Sequence, residues 1–164
     1  MHSTFPVYHP GSDPSSGPPL LPPVVRVMCV YDVSDVCDTI GKIVRAQPDM
    51  EMVASVNSQA WPAQRIAELK PHVVVFDVME DGVRQVGLVW MVSSQFPASR
   101  SMVVIDKHMS VPLQRLLEAG ASGLLPRERL DARLADAIRV VAAGGMVLWR
   151  EPPPPGPLTG PQSK

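Results

Sequence analysis

Cysteine, aromatic side chains and long apolar runs are all scarce in this sequence of 164 residues. Its two cysteines, Cys29 and Cys37, have no second pair, so they offer neither a zinc-binding spacing nor a disulfide framework. No apolar run reaches the roughly 18 residues that cross a bilayer. The N-terminus also lacks the basic start and apolar stretch of a secretory signal. Together these absences favour a cytoplasmic protein.

Positive and negative charges are nearly balanced. The chain has 15 Lys and Arg residues against 16 Asp and Glu residues, which gives a net charge of −1. A chain this close to neutral has no sequence-wide field that would attract nucleic acid or an anionic membrane. We therefore expect no membrane partner.

Proline, with 19 residues, is the abundant exception and exceeds the usual level of about 5%. Thirteen of these prolines lie in residues 1–23 and 150–164, which contain few large apolar groups. Such segments cannot bury enough surface to offset the entropy of ordering, so we expect a disordered N-terminal tail and a Pro-rich, linker-like C-terminal tail. The sequence predicts one domain, residues 24–149, between them.

Residues 24–149 alternate short β-branched runs with segments of helical period. Strands are predicted over 24–31, 52–56, 72–77, 101–105 and 122–125, and helices over 34–44, 58–69, 83–95, 110–119 and 130–141. Strands that alternate with helices imply a parallel sheet with helices on both faces. The predicted fold class is α/β: a doubly wound, five-stranded parallel sheet of the flavodoxin-like type, with strand order 2-1-3-4-5.

Charged side chains follow four of the predicted strands. Asp32 comes after the first strand and Asp77 ends the third. In this fold class the working site lies beyond the carboxyl ends of the strands, between strands 1 and 3, so the two carboxylates converge there. Asp106 and Arg127 follow the fourth and fifth strands and are expected at the rim. An Asp at the end of each of two adjacent buried strands indicates a functional site.

Five stretches that are distributed across nearly all of residues 24–149 carry a family pattern. They are RVMCVYD (26–32), AQPDMEMVASV (46–56), KPHVVVFDV (70–78), LLEAGASGLL (116–125) and AIRVVAAGG (137–145). In order and spacing they resemble the receiver domains of two-component response regulators of the NarL/FixJ (LuxR-type) subfamily. The resemblance implies a role in phosphorelay signal transduction and transcription regulation, with a sensor kinase as a possible partner.

The resemblance also implies roles for individual residues. Receivers accept a phosphoryl group on the Asp that ends the third strand, which corresponds to Asp77. They hold Mg²⁺ with that Asp, with an acidic pair after the first strand and with a carbonyl two residues beyond the acceptor. The corresponding residues are Tyr31 with Asp32, and Met79. Because Tyr31 replaces an acid, only one member of the acidic pair remains.

Four further positions depart from the family pattern. Ile105 stands where receivers have a hydroxyl that bonds the phosphoryl group, and Arg127 stands where they have Lys. Leu124 replaces the aromatic residue that reports the hydroxyl's position to the outer surface, and Asp81 replaces a Pro. The resemblance therefore predicts an atypical receiver that acts through protein–protein interaction, largely independent of phosphorylation.

Alternative functions remain open. Asp32 and Asp77 with Mg²⁺ could still support phosphorylation, with Arg127 in place of Lys. The chain could also be a shortened NarL/FixJ-type regulator, since nothing after residue 149 can build a helix-turn-helix. A flavodoxin-like enzyme is disfavoured because YDVSDVC lacks the glycines of a phosphate loop. We expect no enzyme activity, no direct DNA binding, and a protein partner or homodimer that uses the first, fourth or fifth helix.

Overall fold

The structure is a computed structural model that describes residues 22–77, 83–106, 109–149 and 156. The two predicted tails lie outside the described residues, except for residues 22, 23 and 156. Met79 and Asp81, in the segment after the third strand, lie outside them as well.

In the part of the chain that the structure describes, strands and helices alternate as predicted. The strands are β1 (Val25–Tyr31), β2 (Met50–Asn57), β3 (Val73–Asp77), β4 (Arg100–Ile105), β5 (Ala121–Pro126) and β6 (Val147–Leu148). The α-helices are α1 (Ser34–Arg45), α2 (Ala63–Leu69), α3 (Val83–Gln95), α4 (Leu113–Glu118) and α5 (Leu130–Ala142). No helix within the described ranges is long and apolar enough to span a membrane.

The strands form one parallel sheet in the order β2-β1-β3-β4-β5-β6. The predicted α/β class and the order 2-1-3-4-5 are confirmed. The number of strands is corrected from five to six, because β6 pairs beside β5. The backbone N–H of Trp149 continues this pairing by donating to the carbonyl of Leu124 at 3.2 Å. A two-residue strand has too few side chains for an alternating pattern, which explains why the sequence did not reveal it.

Each face of the sheet carries its own apolar core. The first core packs α1 and α5 against the sheet, with Ile40 and Leu134 fully buried. The second core packs α2, α3 and α4 against the other face, through residues such as Ile66, Leu88 and Leu116. These layers cover both faces of β1, β3 and β4, as expected for strands with near-continuous apolar sequences.

Two helices begin later than the sequence predicted. The segment expected to be helical from residue 58 starts with a 3₁₀ turn at Ser58–Ala60, and α2 begins only after Pro62. Likewise, α4 begins directly after Pro112 rather than near residue 110. A proline disfavours the helical conformation of the residue before it, so each helix begins after its proline and not before it.

Candidate functional site

The carboxyl ends of four neighbouring strands place the predicted residues at one edge of the sheet. The register aligns Val30 of β1 with Phe76 of β3, and Asp77 with Val104 of β4. It also aligns Ile105 with Pro126 of β5. The residues that follow these positions share that edge because the strands are parallel. The structure therefore brings Asp32, Asp77, Asp106 and Arg127 to the same end of the sheet.

Arg127 forms an ion pair with Asp77. Its Nη2 atom donates to Oδ1 of Asp77 at 2.6 Å, and its Nη1 atom lies 3.9 Å from Oδ2 of Asp106. The Asp77 side chain is completely buried, whereas 30% of the Arg127 side chain is exposed. Oδ2 of Asp77 has no hydrogen-bond partner among the described residues. Among the described residues, this buried carboxylate therefore accepts one hydrogen bond, and that bond is charge-assisted.

Burial dominates the acidity of this carboxyl group. Desolvation raises the pKa of Asp77 to about 6, against the opposing effect of the Arg127 cation. The nearby charges of Asp32 and Asp106 raise the pKa of Asp77 further. The charged form of Asp77 is thus costly despite its arginine partner.

Asp32 has a different set of partners. The hydroxyl of Ser58 donates to Oδ1 of Asp32, and Nε2 of Gln85 donates to Oδ2 at 2.6 Å. Arg84 supports this arrangement, since its Nη1 atom donates to the Ser58 hydroxyl at 3.2 Å and its Nη2 atom donates to the Ser58 carbonyl. Both carboxylate oxygens of Asp32 are therefore engaged by the chain's own side chains.

Three residues around Asp32 were not predicted from the sequence: Ser58, Arg84 and Gln85. Ser58 follows β2, which is the neighbour of β1, so the rule that selected Asp32 also applies to Ser58. Gln85 shares one helical stripe with the apolar Leu88 and Val92, and it is buried like them. A lone amide on an otherwise apolar stripe needs a polar partner, and this was the signal that could have found it.

Three of the altered switch positions, Tyr31, Ile105 and Leu124, pack into or against the cores. Tyr31 packs against the first core and Ile105 against the second. Leu124 is buried in the second core and only 3% exposed. Neither Ile105 nor Leu124 can donate a hydrogen bond at the site, because both side chains are hydrocarbon.

The described residues do not fit a magnesium ion. Mg²⁺ needs oxygen ligands in octahedral geometry. Here both oxygens of Asp32 accept side-chain hydrogen bonds, and one oxygen of Asp77 accepts a bond from Arg127. The described part of the chain has no group of three or more His, Cys, Asp or Glu side chains that could hold a metal ion. The cation beside Asp77 is thus a guanidinium supplied by the chain.

Comparisons with known proteins point to one kind of domain. No family model matches the chain. It is 26% identical over 144 residues to protein-glutamate methylesterase/protein-glutamine glutaminase 3 of Rhodopseudomonas palustris, covering 82% of this chain and 39% of that protein. It is 21% identical over 125 residues to the transcriptional regulatory protein LnrK of Bacillus subtilis, covering 76% of this chain and 57% of that protein.

A solved structure with a similar fold is a LuxR-family two-component response regulator from Aurantimonas sp. SI85-9A1. It superposes with a TM-score of 0.66 at 22% identity, over 76% of this chain and 89% of that one. The chain thus spans between about two-fifths and three-fifths of the two curated relatives, but most of this solved chain.

Proposed function

We propose that this chain, which resembles LuxR/NarL-type response-regulator receiver domains in fold and in its relatives, is an atypical receiver. It works as a folded interaction module in signal transduction and transcription regulation, and its output is largely independent of phosphorylation. We assign the receiver to residues 24–149 and its action to the cytoplasm. It catalyses no reaction of its own.

The contact between Arg127 and Asp77 carries this proposal. Phosphoryl transfer to a carboxylate requires a free nucleophilic oxygen and cations placed around the transferred group. In this chain the guanidinium of Arg127 already bonds the buried carboxylate. Phosphorylation through Oδ2, which has no partner among the described residues, would neutralise the carboxylate that Arg127 bonds through Oδ1 and so weaken a charge-assisted bond at a buried site, where such bonds are strong.

The engagement of Asp32 supports the same conclusion. In receivers the acid after the first strand helps to hold the metal, but here Ser58 and Gln85 occupy its two oxygens. Both partners are buried, so water does not readily replace the hydrogen bonds that a metal would displace. A metal at Asp32 would therefore have to compete with a satisfied buried network.

The readout of a phosphoryl group is also changed. A switch needs a contact that differs in energy between two states. Receivers supply this contact through a hydroxyl after the fourth strand and an aromatic residue on the fifth strand. Ile105 and Leu124 have neither group, and both pack into the second core. We therefore infer that regulation depends on a protein partner, and we assign no DNA contact to this chain.

The test exposes the whole chain to acetyl phosphate, and separately to beryllofluoride, with Mg²⁺ present. Intact mass reports phosphorylation, and backbone amide spectra report beryllofluoride binding and structural change. We expect no phosphorylated species and no amide shifts around Asp77 or α4. The variant Tyr31→Asp/Ile105→Thr/Arg127→Lys, which restores the family residues at three positions, serves as the positive control. It should gain a measurable response.

A phosphorylatable receiver is the second candidate. It is favoured by one observation, the Oδ2 atom of Asp77, which has no partner among the described residues. If the unaltered chain acquires one phosphoryl group, and Asp77→Asn abolishes this gain, the phosphorylation-independent proposal is wrong. A gain that survives Asp77→Asn would place the modification at another residue and would leave Asp77 unmodified, as proposed.

A further inference from the structure

The outer face of α3 is unusually free of charge. Its exposed residues are Val83, Gly87, Trp90, Ser94 and Gln95. The side chains of Val83 and Trp90 are large and apolar, and they are 60% and 59% exposed. Surface helices usually place charged or polar residues on this side.

The apolar character of this face is not needed for packing among the described residues. The opposite face of α3 already fills the second core with Leu88, Val89 and Val92, all fully buried. Arg84 is the one charged residue in α3, and its guanidinium is bonded to Ser58. The helix therefore has a second side, with two large apolar residues and no free charge, that the described residues leave exposed.

The spacing along this side matches a helix–helix contact. Val83, Gly87, Trp90 and Ser94 follow one another at intervals of four, three and four residues. This is the spacing of the seam along which two helices pack in a coiled coil. We call these four residues the α3 stripe. Gly87 leaves an opening in it, since a Cβ atom placed there would meet no heavy atom within 4 Å.

Large and small residues alternate along the α3 stripe, and this order makes it complementary to itself. In an antiparallel pair that sets Gly87 of one copy against Trp90 of the other, Val83 falls against Ser94. Every large side chain then meets a small residue. A parallel pair in register would instead set Trp90 against Trp90 and Gly87 against Gly87. The two tryptophans would then crowd each other, and the two glycines would leave an unfilled space.

We propose that two copies of this chain associate through the α3 stripe, with the helices antiparallel about a twofold axis. Such an axis uses the same patch on both copies, as is usual for homodimers. No charge on the stripe opposes itself across the axis. The neighbouring helix α4, which contacts α3, adds one exposed charge of each sign, Arg115 and Glu118.

The size of the contact surface limits how tightly the two copies are expected to associate. A helix of 13 residues is about 20 Å long, so the patch is at the small end of specific interfaces. We expect a reversible dimer with a dissociation constant of about 10–100 μM. Sedimentation equilibrium of the whole chain from about 5 to 500 μM would cover that range.

The first test compares two exposed tryptophans. Trp90→Glu places a charge opposite Gly87 of the other copy and should weaken association at least about tenfold. Trp61→Glu is the matched control, because Trp61 is 57% exposed but lies outside the α3 stripe. It should leave the dimer unchanged. The proposal is overturned by a chain that stays monomeric at 500 μM (about fiftyfold above the lower expected constant) or by equal effects of the two variants.

The second test concerns the register. Gly87→Trp sets tryptophan against tryptophan and should abolish the dimer, whereas Gly87→Trp/Trp90→Ala again sets large against small and should restore it. Circular dichroism of both variants confirms that each is folded. A double variant that is folded but monomeric would contradict the antiparallel register. Retention of the dimer by Gly87→Trp alone would contradict it as well.

Discussion

Two arginines on opposite ends of the sheet have equal exposure but pair with very different carboxylates. The side chains of Arg127 and Arg139 are each 30% exposed. Arg127 follows β5 and bonds Asp77, which is completely buried. Arg139 lies in the last turn of α5 and bonds Asp49, which directly precedes β2 and is 40% exposed.

The pKa values of the two carboxyl groups shift in opposite directions. Arg139 holds both oxygens of Asp49, through Nε at 2.8 Å and Nη2 at 2.9 Å, and this bonding lowers the pKa of Asp49. Arg127 bonds one oxygen of Asp77, yet burial raises the pKa of Asp77 to about 6. An arginine partner therefore does not by itself decide whether a carboxyl group is stabilised in its charged form. Burial of Asp77, the repulsion from Asp32 and Asp106, and its single bond to Arg127 together separate it from the exposed Asp49, which Arg139 holds by both oxygens.

The largest effect is expected from Arg127→Ala, which leaves Asp77 buried without its cation. The free energy of unfolding at pH 8 should fall by about 3 kcal/mol. At pH 5 the loss should be smaller, about 1 kcal/mol, because Asp77 can take up a proton and become neutral. Urea unfolding at the two pH values measures both losses. An equal loss at pH 5 and pH 8 would contradict the assignment of the cost to the Asp77 charge.

The next effect comes from Asp77→Asn, which removes the buried charge and keeps an oxygen for Arg127. A folded pKa raised to about 6, above an unfolded value of about 3.9, means that the folded chain binds more protons between these values. Stability from the neutral form is complete below the unfolded pKa and is lost as pH rises through about 6.

Asp77→Asn should therefore flatten the profile of unfolding free energy from pH 4 to pH 7. At pH 8 the variant should be more stable than the unaltered chain by about 1–2 kcal/mol. Thermal or urea unfolding across this range is the measurement. A variant that is less stable at pH 8 would show that the ion pair stabilises the fold.

The smallest effect is expected at the exposed pair. Arg139→Ala should lower stability at pH 7 by about 0.5–1 kcal/mol, and added salt should reduce the difference. Because the folded pKa of Asp49 is lowered, its contribution is present above the unfolded value and is lost as pH falls through the folded value. Unfolding at pH 7 and in acid, with and without salt, measures this. A difference that grows in acid would contradict it.

The sequence could predict which residues lie at the site but not how they pair. Asp32, Asp77, Asp106 and Arg127 follow strands, and the carboxyl ends of parallel strands meet at one edge, so local pattern and topology were sufficient to group them. Their pairing was not predictable in the same way. Which of three carboxylates receives the guanidinium depends on side-chain distances of a few ångströms.

The hydrogen-bond partners of Asp32 could not be predicted from local sequence either. Gln85 and Ser58 come from different segments, and Gln85 is 53 residues away from Asp32 along the chain. Contacts across such a separation depend on how α3 and the turn after β2 pack over the sheet. Pro62 and Pro112 carried a local signal that the predicted helix ranges did not use, since α2 and α4 begin directly after them.

The sequence by itself determined the α/β class and the identity of the residues at the carboxyl edge, because periodicity and apolar runs are local properties. The fold class then gave the order of the first five strands. Only the tertiary structure decided that Arg127 bonds Asp77, that Ser58 and Gln85 engage Asp32, and that β6 lies beside β5. It also decided which side of α3 is left exposed by the residues that the structure describes. These features depend on burial and on distances between segments, which no local pattern contains.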